Sequence, residues 1–216
     1  MVRSVHSVRD LGIYIDSVLS MVAHVSRTVS TCFSALRQIK SIRRSVTGPV
    51  LKTLVASLVL SKLDYGISTL AGLPACQLNR LQSVLNAAAR LVCSARKYDH
   101  VTHLPRDLHW LRVPERITFR LSVLVYRCLQ GQAPFYLADE LRRVDTVDGR
   151  QRLRSASTVA LVVPVSRHVT IGDRAFPFAA ARAWNSLPAF VTSSTSPLIF
   201  KQRLKTELFR RSFAAD

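Results

Sequence analysis

The stretch VLSMVAHVSRTVSTCFSALRQI, residues 18–39, decides the fold class. Its apolar positions Val18, Val22, Val25, Val29, Cys32, Leu36 and Ile39 advance by steps of four and three, the signature of one helical face. Leu19 and Phe33 widen that face. Arg37, Lys40 and Arg44 recur at the same interval on another side. The spacing predicts one long helix with a buried stripe and a basic stripe.

Working outward, the same period returns along most of the chain. Thr47-Gly48-Pro49 closes the first helix and opens the next, with Pro49 suited to a first turn. Residues 50–63 are apolar apart from Lys52, Thr53, Ser57, Ser61 and Lys62, and read as a central, mostly buried helix. After the Gly72-Leu73-Pro74 break, Leu78, Leu81, Leu85, Ala88 and Leu91 or Val92 give a third helix. Pro114 opens a fourth along Ile117, Leu121, Leu124 and Cys128, with Gly131 as its cap, and Pro134 to Leu137 starts a short fifth. Toward the N-terminus, residues 11–15 alternate like a strand.

The pattern changes after Val144. Residues 148–157 are polar and carry Arg150, Arg152 and Arg154 in alternation, an exposed arm or linker. Residues 159–163 and 165–171 are β-branched runs parted at Pro164, which predicts short strands or a hairpin. An Ala-rich helix ends at Trp184-Asn185-Ser186-Leu187-Pro188, and Ser196 caps a last helix with Pro197 inside it. That helix carries Phe200, Leu204 and Leu208 beside Lys201, Arg203, Lys205, Arg210 and Arg211.

Charge sets the partner class. The 216 residues hold 31 Lys and Arg against 13 Asp and Glu, a formal +18. A polyanion is the first partner such an excess suggests, with a merely solvated basic coat as the alternative. A hydrophobic content of 48 % is that of a folded protein. The four cysteines, Cys32, Cys76, Cys93 and Cys128, are scattered, which predicts reduced thiols and an intracellular setting. No stretch approaches the ~20 apolar residues of a membrane span, and no secretory leader is read at Met1.

Catalytic patterns are scarce. There is no phosphate-binding glycine loop and no Gly-x-Ser-x-Gly elbow. Cys93, His100, His103 and His109 lack the paired spacing of a zinc site, and turn residues around Trp110 are the plainer reading. Asp139-Glu140 are neighbours on a helix and point about 100° apart. No metal site and no catalytic set is assigned. The candidate nucleic-acid-binding residues are Arg37, Lys40, Arg43 and Arg44, then Arg96-Lys97, the Arg150, Arg152 and Arg154 arm, and Lys201 with Lys205. Clustered cations suit phosphates because each neutralised charge releases a counterion. Tyr98 and Trp110 could stack on bases or fill the core; both readings stand.

Several segments then fall in a telling order. Leu58 to Gly66 (LVLSKLDYG) precedes Gly72-Leu73-Pro74 and Leu81 to Val92 (LQSVLNAAARLV). Arg96 to Thr102 (RKYDHVT), Leu108 to Val113 (LHWLRV), Gly131 to Leu137 (GQAPFYL), Trp184 to Pro188 (WNSLP) and Phe200 to Thr206 (FKQRLKT) follow. The series resembles the C-terminal part of reverse transcriptases from non-LTR (LINE-type) retrotransposons of the jockey and chicken-repeat kind, and covers nearly all of the chain from Leu11.

The resemblance implies a mainly α fold: a thumb-like helical bundle, a strand or strand remnant at the N-terminus, and a small C-terminal extension containing a β-hairpin. It implies a palm-strand remnant over 1–16, a thumb-like domain over 17–143, an Arg-rich linker over 144–157 and an α+β extension over 158–216. The palm and its Tyr-x-Asp-Asp hairpin would lie upstream of Met1, so no catalytic residue transfers. Under this resemblance the chain would grip RNA, DNA or an RNA–DNA hybrid through phosphates, partner the missing palm, and need no cofactor itself, the parent polymerase using Mg²⁺. It would be inactive as a polymerase alone and reside in nucleus or cytoplasm. The alternatives are a degenerate, poorly folded relic and an adopted basic protein-interaction module.

Overall fold

The computed structural model describes residues 6–96, 98–146, 160–165 and 172–213. The chain is mainly helical, with a two-stranded antiparallel sheet at its N-terminus, as the sequence predicts. It divides into two compact units, Met1–Pro114 and Glu115–Asp216. The division falls inside the segment 17–143, for which the resemblance implies one thumb-like domain.

The first unit opens with β1 (Ser7–Asp10) and β2 (Ile13–Asp16), paired in the register Asp10 with Ile13 and Ser7 with Asp16. One strand over 11–15 was the expectation, and the structure corrects it. Leu11 and Gly12 have φ of 43° and 85°, the two left-handed residues of a tight hairpin turn. Alternation in the sequence conceals this because Leu rarely adopts that conformation.

Helix α1 (Val22–Ile42) begins one turn later than the period suggests. Leu19 and Met21 take positive φ, and Asp16 accepts bonds from the Ser20 N–H (2.6 Å) and hydroxyl (2.8 Å). Val18 therefore stays outside and is exposed. Farther along, Val25, Cys32, Leu36 and Ile39 are buried, as the stripe requires. Burying an aliphatic side chain of this size contributes roughly 1.5–3 kcal/mol. Arg43–Ser45 tighten into a 3₁₀ turn.

The central apolar segment is not one regular helix. It runs as α2 (Gly48–Val55), a π segment over Ala56–Leu60 and α3 (Ser61–Asp64). The Ser61 N–H reaches back five residues to the Ala56 carbonyl, the widened turn of a π-bulge. Inside this segment the Val59 carbonyl accepts the Cys32 thiol at 3.8 Å.

Helix α4 (Ala75–Cys93) packs along α1, burying Leu81, Val84, Leu85, Ala88 and Ala89. It ends on Ser94, at φ 61°, where the Ala95 N–H bonds the Arg90 carbonyl at 3.0 Å. That is a Schellman-type stop with Ser in the place Gly usually takes. Short α5 (His103–Asp107) follows. Two of the quoted motifs meet in this unit. The Tyr65 hydroxyl donates to the Leu11 carbonyl in the hairpin turn. Beside it, a Cβ on Gly66 would lie 2.8 Å from Ile13 Cδ1, so glycine allows β2 to close on the end of α3.

The long helix α6 (Val113–Leu129) ends where Gly131 was expected to cap it, the Gln132 N–H bonding the Arg127 carbonyl at 2.8 Å. In the second unit it is followed by α7 (Phe135–Ala138), α8 (Phe176–Asn185), α9 (Ala189–Thr192) and α10 (Pro197–Phe213). The core is aromatic. Phe200 stacks on Tyr126 at 4.3 Å and lies 5.8 Å from Trp184, ring centre to ring centre.

The Trp184 to Pro188 motif has a distinct task at each position. Trp184 and Leu187 are buried. Asn185 clamps Leu161, accepting its N–H at 2.9 Å and donating to its carbonyl at 2.7 Å. The Ser186 carbonyl accepts Arg211 at 2.6 Å, and Pro188 leads into α9. Of the expected hairpin over 159–171, residues 160–165 are described. There Leu161 forms an isolated antiparallel bridge with Arg143, and the second run lies almost wholly outside the described residues. Ser196 caps α10 as expected, its hydroxyl accepting the Ile199 N–H at 3.3 Å.

Candidate nucleic-acid interface

The cations cluster because one end of the first unit gathers helix ends. Arg37 and Lys40 are exposed in the last turns of α1, and Arg44 is exposed in the turn that follows. Arg43 donates to the Ser94 hydroxyl, which draws the C-terminal ends of α1 and α4 together. Arg96 leaves α4 at that end, its backbone N–H held by Asp99 Oδ2 at 2.6 Å and its side chain exposed. The sequence placed these residues in two separate clusters; the fold makes them neighbours.

A further cation joins them. Lys52 of α2 acts electrostatically on the Cys93 thiol in the last turn of α4. Partial desolvation and the carboxylate of Asp107 push that thiol up although its residue is exposed, and Lys52 opposes them. Lys52 was missed as a site residue because it reads, with Thr53, Ser57, Ser61 and Lys62, as one of the polar positions of a mostly apolar helix. Its signal was present in composition: from residue 17 to residue 98 the only carboxylate is Asp64, against eleven Lys and Arg.

Helix C-termini carry roughly half a negative charge each, and cations there stabilise the helix. Two such ends offset about one positive charge. Arg37, Lys40, Arg43, Arg44, Arg96 and Lys52 leave a positive excess over that and over Asp99 and Asp107. Tyr98 stands beside Arg96 with 89 % of its surface exposed, while Trp110 is half-buried. The aromatic at this end is thus Tyr98, and the core reading does not describe it.

In the second unit the basic helix is partly committed elsewhere. Arg203 donates to the Phe190 carbonyl at 2.7 Å. Arg210 and Arg211 both hold the buried Glu207, at 2.9 and 2.8 Å. Those bonds, Arg210 first, keep the Glu207 carboxyl below its ordinary range against the opposing effect of burial. Lys205 is exposed and Lys201 half-buried on the same helix. Lys97, Arg150, Arg152 and Arg154 lie outside the described residues.

Among the described residues no group of three or more His, Cys, Asp or Glu is placed to hold a metal ion, and His100, His103 and His109 are all exposed. The four cysteines are free thiols. No described helix is long and apolar enough to cross a membrane. No protein-family model, curated protein or solved structure matches the chain.

Proposed function

We propose that the chain is the nucleic-acid-gripping C-terminal part of a LINE-type RNA-directed DNA polymerase, binding RNA or an RNA–DNA hybrid through phosphates. The observation that carries this is the ratio of eleven cations to one carboxylate between residues 17 and 98, with Arg37, Lys40, Arg43, Arg44, Arg96 and Lys52 gathered at one end of the helices. The ordered motifs from Leu58 to Thr206 support the parentage.

Binding would be driven by counterion release, and phosphates carry no base information, so little sequence preference is expected. Tyr98 offers a face on which an unpaired base can stack. The chain holds no Tyr-x-Asp-Asp, so polymerisation and the Mg²⁺ it uses belong to a palm partner. Filter binding of an RNA–DNA hybrid by the full chain tests this. Affinity should fall about a thousandfold between roughly 50 and 200 mM salt, as for six or more phosphate contacts. An affinity that barely moves would refute it.

A second reading, a basic module that docks a protein, is favoured by the apolar exposure of the N-terminal hairpin. Leu11 is 83 % exposed and Val8 57 %. Salt-insensitive binding of a protein partner after nuclease treatment, with no affinity for the hybrid, would select it.

A further inference from the structure

A second basic feature lies far along α1 from the cluster just described, at its N-terminal half. There a cavity of about 320 Å³ opens between the hairpin and α1, with Lys62 of α3 at its edge. On α1, His24, Arg27, Thr28 and Thr31 share one helical stripe and face it, and Arg9 and Tyr14 face it from the strands. No carboxylate is among the described residues that line it.

The lining is arranged, not merely charged. Tyr14 sits under two guanidiniums, Arg27 at 4.1 Å and Arg9 at 5.8 Å from its ring centre. Stacking of this kind fixes each guanidinium plane while leaving its N–H edge available. The Tyr14 N–H meets His24 Nδ1 at 3.5 Å. His24 is buried, and burial lowers its pKa, which favours the neutral ring whose Nδ1 accepts this bond. The Thr31 hydroxyl is engaged with the Arg27 carbonyl at 2.8 Å, which steadies the same turn of helix. Three cations, Arg9, Arg27 and Lys62, therefore share one cavity with no carboxylate among the described residues of its lining.

We infer that this cavity binds the dianionic phosphate of a phosphate monoester, held between Arg9, Arg27 and Lys62. Planar guanidiniums and an ammonium suit phosphate oxygens, the first by paired N–H bonds and the second as a point charge. The volume is at the lower end of the roughly 300–1,000 Å³ typical of small-molecule sites, large enough for a mononucleotide-sized group. This site does not rest on the nucleic-acid reading, which concerns phosphodiesters at the opposite end of α1.

The test uses the full chain and calorimetric titration. Adenosine 5′-monophosphate should bind, and adenosine should not. Lys62→Gln, an exposed side chain whose loss leaves the fold intact by circular dichroism, should weaken binding about tenfold, as the loss of one charged contact does. Arg27→Gln should do the same or more, while Arg80→Gln, an exposed cation on α4 outside the lining, should leave it unchanged. A 5′-phosphorylated oligonucleotide preferred over its 5′-hydroxyl twin would assign the pocket to nucleic-acid ends. Binding of the mononucleotide without that preference would assign it to free nucleotides. Equal binding of adenosine and its monophosphate, or a Lys62→Gln variant that binds as well as the parent, would overturn the inference.

Discussion

Arg43 and Ser94, 51 residues apart, are hydrogen-bonded, and through that bond the C-terminal ends of α1 and α4 are held side by side. The bond is exposed, so its net worth is about 0.5–1.5 kcal/mol. Arg43→Ala and Ser94→Ala should each lower stability by about that amount in urea unfolding. The double variant should lose no more than the larger single change, because both remove one interaction. Fully additive losses would show that the two side chains act separately.

Lys40 and Arg44 are exposed, and neither carries a structural bond among those described. Replacing each with Gln should leave stability within about 0.5 kcal/mol. Each change should reduce the slope of log affinity against log salt by about one, uniformly across nucleic-acid sequences. A variant that loses affinity for one sequence and keeps it for others would point to base reading instead.

Glu207 is buried and held by Arg210 and Arg211, which lower its pKa from the ordinary 4.5. A depressed carboxyl stabilises the fold fully above pH 4.5, and that share is lost as pH falls through the lower folded value. Glu207→Gln should cost about 1–2 kcal/mol at pH 7, a moderate figure because the arginines are partly solvated. The gap between parent and variant should close on acidification below pH 4.5. A gap that is constant with pH would mean that packing, not charge, is what Gln disturbs.

Gly66 has φ +64° and lies against Ile13, whereas Gly48 has open space around it at the start of α2. Gly66→Ala should destabilise by about 1–2 kcal/mol, since an L residue there is left-handed and crowded. Gly48→Ala should be neutral or slightly stabilising. Thermal unfolding of the two variants separates the effects, and equal midpoints would count against the close approach of β2 and α3.

The thiols offer a probe of the first unit. Cys76 and Cys93 are exposed, while Cys32 and Cys128 are buried. Burial pushes Cys32 up to about 11. A disulfide reagent near pH 8 should modify Cys76 and Cys93 in the native protein and reach Cys32 only as the chain unfolds. Native labelling of Cys32 at the rate of Cys76 would show that the α1–π contact opens readily.

The helices were legible because burial imposes a period that composition cannot hide. The stripe Val25, Cys32, Leu36 and Ile39 and the caps at Gly131 and Ser196 follow directly from local chemistry. What the sequence withheld were effects settled by distant partners. Leu11 reads as strand until its carbonyl is seen to accept Tyr65. Arg210 and Arg211 read as free cations until the buried Glu207 is placed between them. The monoester pocket was hidden for a related reason: His24, Arg27, Thr28 and Thr31 keep helical spacing, but their meaning depends on Arg9 and Lys62 arriving from elsewhere.

The π segment over Ala56–Leu60 has a consequence for phase. One surplus residue in a helix turns everything after it by about 100° relative to what precedes. Lys62, Leu63 and Tyr65 all follow that surplus, and together they supply the pocket edge, a core contact and the hairpin latch. Deleting a single residue such as Ser57 would restore an ordinary helix and swing all three away at once. The bulge therefore sets the phase of the chain downstream, and with it the Tyr65 latch on the N-terminal hairpin.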